Sequence, residues 1–99
     1  MKVHVDLCLI PIGGDSSISA DIAECQRVFS ERGLTHYLHA YGTNVEGEWD
    51  EVMGAIKACH ERVHSLGRAR ISSTLKIGTR TDREQGLQDK ISSVLDKLR

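Results

Sequence analysis

The chain has 99 residues, with 13 basic and 14 acidic side chains, a formal net charge of −1 and four aromatic residues, Phe29, Tyr37, Tyr41 and Trp49. That length predicts one domain over residues 1–99, and a charge so nearly balanced, without a basic run, gives a nucleic-acid backbone nothing to hold. The longest apolar stretch, Leu7 to Ile12, is too short for a membrane span, and His4 and Asp6 interrupt what would be the apolar middle of a signal peptide, so a cytoplasmic protein is expected.

Residues 2–10 alternate: Val3, Val5, Leu7 and Leu9 share one face, and His4, Asp6, Cys8 and Ile10 the other. A period of two marks a half-buried strand, which Pro11 and the Gly13-Gly14 pair are expected to end. Ser17 or Ser19 can cap the helix that follows, whose apolar face carries Ile18, Ile22, Cys25 and Phe29 and which Gly33 stops. Residues 34–47 read as two short strands around Tyr41-Gly42-Thr43. If Leu38 and Ala40 point to the helices, then His39, Tyr41 and Thr43 lie on the opposite face.

Glu48 and Asp50 suit the positive end of a second helix. Its stripe is Trp49, Val52, Met53, Ile56, His60, Val63 and Leu66, with Gly67 as its stop. A strand over 69–79 alternates through Ile71, Ser73, Leu75 and Ile77. Thr81-Asp82-Arg83-Glu84 matches a capping box. Leu87, Ile91, Val94, Leu95 and Leu98 then form the apolar face of a last helix.

The order βαββαβ predicts the α+β ferredoxin-like fold: an antiparallel sheet in the order 4-1-3-2, both crossover helices on one face, and an extra C-terminal helix. The other face then carries His4, Asp6 and Cys8 from the first strand and Ser72, Thr74 and Lys76 from the fourth. It reads either as a solvated surface with an Asp6–Lys76 cross-strand pair, or as a face packed on another subunit with polar groups kept for a ligand. A small core with few aromatic residues favours the second, since small domains gain stability by oligomerising. Three widely spaced cysteines without a Cys-x-x-Cys pair read as reduced, mostly buried thiols.

Two motifs compete for chemistry. His60-Glu61-Arg62-Val63-His64 matches the zinc-protease string His-Glu-x-x-His, and Glu84 stands where a third ligand could. Against it, a strand separates His64 from Glu84, one small domain provides no cleft between lobes, and His60 falls within the apolar stripe. A packed, hydrogen-bonded histidine is the expectation; no metal ligand, catalytic residue or cofactor is assigned. Ile12-Gly13-Gly14-Asp15-Ser16-Ser17 could hold an anion on free N–H groups, but it lacks both nucleotide-loop patterns and reads as a tight turn before a helix.

Pro11-Ile12-Gly13, Ser17-Ile18-Ser19 and Gly42-Thr43-Asn44-Val45-Glu46-Gly47, in that order, resemble the small thiamine-binding protein family. Gly78-Thr79-Arg80-Thr81-Asp82 and the helix from Gln88 resemble its eukaryotic members. The resemblance runs from residue 3 to about 98. It implies a ferredoxin-like fold, dimers joined into tetramers, no catalysis, and a pocket for thiamine or its hydroxymethylpyrimidine part near subunit contacts. It nominates Pro11, Ser17, Thr43 and Glu46 as ligand-binding residues, and more loosely Asp6, Ser72 and Thr74. Glu46 could pair with the aminopyrimidine, or brace the turn and start the helix. The alternative function is a structural or regulatory oligomer with no small ligand.

Overall fold

The computed structural model describes residues 1–99. Its elements are β1 (Lys2–Ile12), α1 (Ser19–Glu31), β2 (Thr35–His39), β3 (Gly42–Glu48), α2 (Trp49–Ser65), β4 (Arg70–Thr79) and α3 (Leu87–Lys97). The strands form one sheet in the order β2-β3-β1-β4, with every neighbouring pair antiparallel. Read from the other edge this is the expected 4-1-3-2, and the fold is ferredoxin-like with an added C-terminal helix. The alternation in β1 is the reason for its central place: Val3, Val5, Leu7 and Leu9 are buried under α1 and α2. Val28 and Phe29 of α1, Val52, Ala55, Ile56 and Val63 of α2, and Val45 of β3 close the core around them. No helix is long and apolar enough to cross a membrane.

Five local expectations are corrected. β1 continues through Pro11, which lies opposite Ile71, to Ile12. Its pairing with β3 stops at Leu7, so the last part of β1 is bordered by β4 alone, and such an edge tolerates a residue without an N–H. The turn between β2 and β3 is Ala40-Tyr41, with His39 opposite Gly42 and Leu38 opposite Thr43. That register reverses the parity expected for Thr43, which faces the helices and is buried, while His39 lies on the open face.

Neither Ser17 nor Ser19 caps α1: the N-cap residue is Ile18, and the two hydroxyls bond each other at 3.2 Å. The C-terminus follows expectation: Gly33 at φ 67° lets Leu34 N donate to the carbonyl of Phe29 and Gly33 N to that of Ser30. At the other end of the chain α3 begins at Leu87, after the Thr81–Glu84 string. Arg80 takes both carboxylate oxygens of Asp82 and reaches Gln85 at 2.8 Å, holding that string as a loop. Gly86 N donates instead to Asp89 Oδ2 at 2.8 Å, and Leu87 N to Glu46 Oε2 at 3.2 Å.

Candidate functional site

Because β2 and β3 turn back at Ala40-Tyr41, they end short of the upper part of β1. The gap between that turn, the exposed edge of β1 and the first turns of α1 is a cavity of about 220 Å³. Ile18, Ile22, Cys25, Leu38 and Tyr41 line it, with Thr43 among the few polar groups in the wall. Thr43 Oγ1 accepts a hydrogen bond from Gln26 Nε2 at 2.9 Å. A hydroxyl has one proton and two lone pairs, so this bond leaves the Thr43 proton available to a ligand. The volume lies below the roughly 300–1,000 Å³ usual for drug-sized ligands and matches a single substituted ring.

His39 joins the cavity to the open face. It is part of the cavity wall, and its Nε2 lies 2.7 Å from Asp6 Oδ1. Asp6 is the cross-strand neighbour of Lys76, as expected, but its hydrogen-bond partner is this histidine from two strands away. Ser72 and Thr74 are exposed on the same face, opposite Ile10 and Cys8. Glu46 also lies on this face, at its far end, where His4 Nε2 approaches at 3.3 Å, Lys2 Nζ at 3.9 Å and the start of α3 at 3.2 Å. Its carboxylate therefore already has a structural task, bracing the first turn of α3. Pro11 is buried near the end of β1, and Ser17 is exposed in the loop after it. Of the seven nominated residues, the structure brings Thr43 and, through His39, Asp6 to the cavity. The other five lie elsewhere on the sheet or in the loop.

Sequence reasoning missed the residue that orders this end of the molecule. Arg68, just after α2, reaches Asp21 Oδ2 at 3.0 Å and Oδ1 at 3.3 Å, the Gly13 carbonyl at 2.7 Å and the Ser17 carbonyl at 3.1 Å. One guanidinium thus ties the 13–17 loop to the first turn of α1, the turn that presents Ile18 and Ile22 to the cavity. Asp21, though buried, falls between apolar positions, and nothing in the sequence pairs it with a residue 47 positions away. The arginine is held even more firmly in its charged form by this carboxylate. Ile18, Ile22 and Cys25 were legible only as a helix stripe.

The His-Glu-x-x-His string has two separate tasks. His60 Nε2 bonds Ser73 Oγ at 2.6 Å, anchoring α2 to β4, and His64 Nδ1 lies 2.7 Å from the carbonyl of Arg68. Burial, and to a lesser degree the charge of His64, lowers the His60 pKa from its ordinary value. No group of three or more histidine, cysteine or acidic side chains is placed to hold a metal ion. The three cysteines are free thiols: Cys25 and Cys59 are buried and Cys8 half-buried.

Comparison with known proteins adds what the geometry leaves open. A family model described as thiamine-binding protein matches residues 5–95. A UPF0045 protein of Synechocystis sp. is 55% identical over 94 residues, covering 95% of this chain and 78% of its own length. Another, from Eremothecium gossypii, is 42% identical over 100 residues, covering 98% of this chain and 95% of its own. Among solved structures, a hypothetical protein of Methanocaldococcus jannaschii superposes with a TM-score of 0.88 at 32% identity, over 96% of this chain and 97% of that one. A Thermotoga maritima protein, provisionally named for thiamine biosynthesis or salvage, shares the fold with a TM-score of 0.81 at 22% identity, over 95% and 99% of the two chains. With a fold, a family model and close relatives that agree over nearly the whole length, this chain belongs to the thiamine-binding protein family.

Proposed function

We propose that the protein is a non-catalytic cytosolic binding module for thiamine or its hydroxymethylpyrimidine part, a carrier, buffer or sensor that works as an oligomer. The observation that carries this reading is the apolar cavity with the Thr43 hydroxyl in its wall and the Asp6–His39 pair at its rim, in a chain of this family. An aminopyrimidine both donates and accepts hydrogen bonds; Thr43 supplies a donor, and the apolar wall takes the ring faces. The thiazolium ring of thiamine is a cation, and Asp6 places a carboxylate beside the cavity mouth for it. Glu46 serves instead as a brace for α3, and Pro11, Ser17, Ser72 and Thr74 lie off the cavity wall.

Assembly rests on α3. Ile91, Val94 and Leu95 are 48%, 60% and 55% exposed, Leu98 just after the helix is 76% exposed, and the helix buries none of its residues in its own chain. Isolated helices below about 12–15 residues are marginal in water, so an 11-residue helix with an uncovered apolar stripe calls for a partner surface. A second copy supplies one, consistent with the dimer of dimers that the family resemblance implies.

Isothermal titration with thiamine and then with hydroxymethylpyrimidine tests the reading. Saturable binding is expected, weakened about tenfold by Thr43→Val, the worth of one neutral hydrogen bond. Absence of heat with both compounds would remove the ligand and leave the structural or regulatory oligomer, a role that the uncovered face of α3 supports by itself.

A further inference from the structure

Two of the three thiols meet where α1 crosses α2. Cys25 and Cys59, 34 residues apart, are 2% and 0% exposed. The Cys59 Sγ donates to the carbonyl oxygen of Cys25 at 3.9 Å, which sets the two residues side by side. Their surroundings differ in one respect. Cys25 also lines the apolar cavity, whereas Cys59 sits behind it in the core. Cys8 lines the same cavity from β1 and is the competing thiol.

The geometry points to Cys25 and Cys59 as an oxidation site, at which hydrogen peroxide admitted through the cavity converts the pair into a disulfide tying α1 to α2. Cys25 is the attacking sulfur because it is the residue of the pair that lines the cavity, and its neighbour Cys59 lowers its pKa. In the first step the thiolate sulfur attacks one peroxide oxygen and the O–O bond breaks. Cys25 becomes a sulfenic acid, and the departing hydroxide takes up a proton to leave as water. In the second, the Cys59 sulfur attacks the sulfenic sulfur, its own proton leaves with the hydroxyl as a second water, and the S–S bond forms. Two thiols give up two electrons and two protons in all, and the peroxide is reduced to two waters. The site is independent of which ligand the cavity binds.

The test uses the full chain, reduced and desalted, then exposed to hydrogen peroxide at neutral pH. Free thiols should fall from three to one per chain, and a non-reducing digest should show the Cys25 and Cys59 peptides joined. The product should run as a single chain on a non-reducing gel. Cys8→Ser, at a half-buried position, should leave the loss of two thiols unchanged. Cys59→Ala should stop the reaction at Cys25 sulfenic acid, trapped there by dimedone. Oxidation that begins at Cys8, a cross-link between chains, or thiols that react only after unfolding in urea would overturn the assignment. The wild-type digest decides the matter even if Cys59→Ala folds poorly.

Discussion

Arg68→Met is the perturbation that most directly probes how the cavity end of the molecule is held. Methionine keeps much of the side chain's length and apolar stem but removes the guanidinium that serves Asp21 and the carbonyls of Gly13 and Ser17. Side-chain exposure is 14% for Arg68 and 4% for Asp21, so the carboxylate left behind would be a desolvated charge with no partner. Because only the carboxylate is fully enclosed, the cost lies between the roughly 0–1 kcal/mol of a surface pair and the roughly 3–5 kcal/mol of a pair buried on both sides. The two lost carbonyl bonds add less, because water reaches that exposed loop. Against a total stability of about 5–15 kcal/mol for a domain, the variant should lose a large fraction of its margin. Urea unfolding by far-UV circular dichroism, at one fixed chain concentration because assembly shifts the midpoint, gives the loss directly. Asp21→Asn in the same background should recover most of it, since the uncompensated charge is then gone. A loss below about 1 kcal/mol for Arg68→Met, or no recovery in the double variant, would refute the view that this pair is desolvated and coupled.

Other perturbations separate the remaining parts of the structure. Phe29→Ala, at a position wholly buried between α1 and the sheet, should cost about 3–5 kcal/mol in the same urea assay. Leu95→Asp, on the uncovered face of α3, should leave the domain folded but lower the molar mass seen by light scattering; an unchanged mass would mean that copies meet elsewhere. For His60, the folded pKa lies below the unfolded value of 6.5, so the unfolded chain takes up the proton first. Stability from this residue is therefore intact above pH 6.5 and is lost as pH falls through that value towards the lower folded one. His60→Gln should flatten that acid limb of a plot of midpoint against pH, and an unaltered limb would assign it to other groups.

The parts of the fold that follow from periodicity were legible in the sequence. Val3, Val5, Leu7 and Leu9 alternate because β1 is covered on one face, and that pattern survives any local detail. The stops at Gly33 and Gly67 were legible because a left-handed residue there releases the last carbonyls to turn bonds. Helix starts were not, since the decisive partners lie outside the expected caps: Arg68 takes the 13–17 loop where a serine cap was expected, and Arg80 pairs with Asp82 and Gln85 to hold the Thr81–Glu84 string as a loop where a capping box was expected. His60 shows the intermediate case. Its place in the α2 stripe predicted packing against the sheet, and only the structure identifies Ser73 as its partner.

The site depended on something finer still, the length of one turn. Side chains in a strand change face with every residue, so placing the β2–β3 turn at Ala40-Tyr41 instead of around Gly42 moves Thr43 from the open face to the buried one. The same turn length leaves the end of β1 uncovered beyond Leu7, and that uncovered edge is what makes room for the cavity. The family resemblance nominates Thr43 and, more loosely, Asp6, and the register expected from the sequence puts both on the open face. They are instead on opposite faces of the sheet, linked around the short end of the hairpin by His39. A ligand that uses both must lie at this corner, with its ring under the hairpin and its charge towards Asp6. The Thr43→Val and Asp6→Asn substitutions should then affect two ligands differently. Losing the hydroxyl should weaken thiamine and hydroxymethylpyrimidine alike, whereas losing the carboxylate should weaken the cationic thiamine more than the neutral pyrimidine. Equal losses for both ligands in Asp6→Asn would place the thiazolium away from Asp6 and the corner geometry would have to be abandoned.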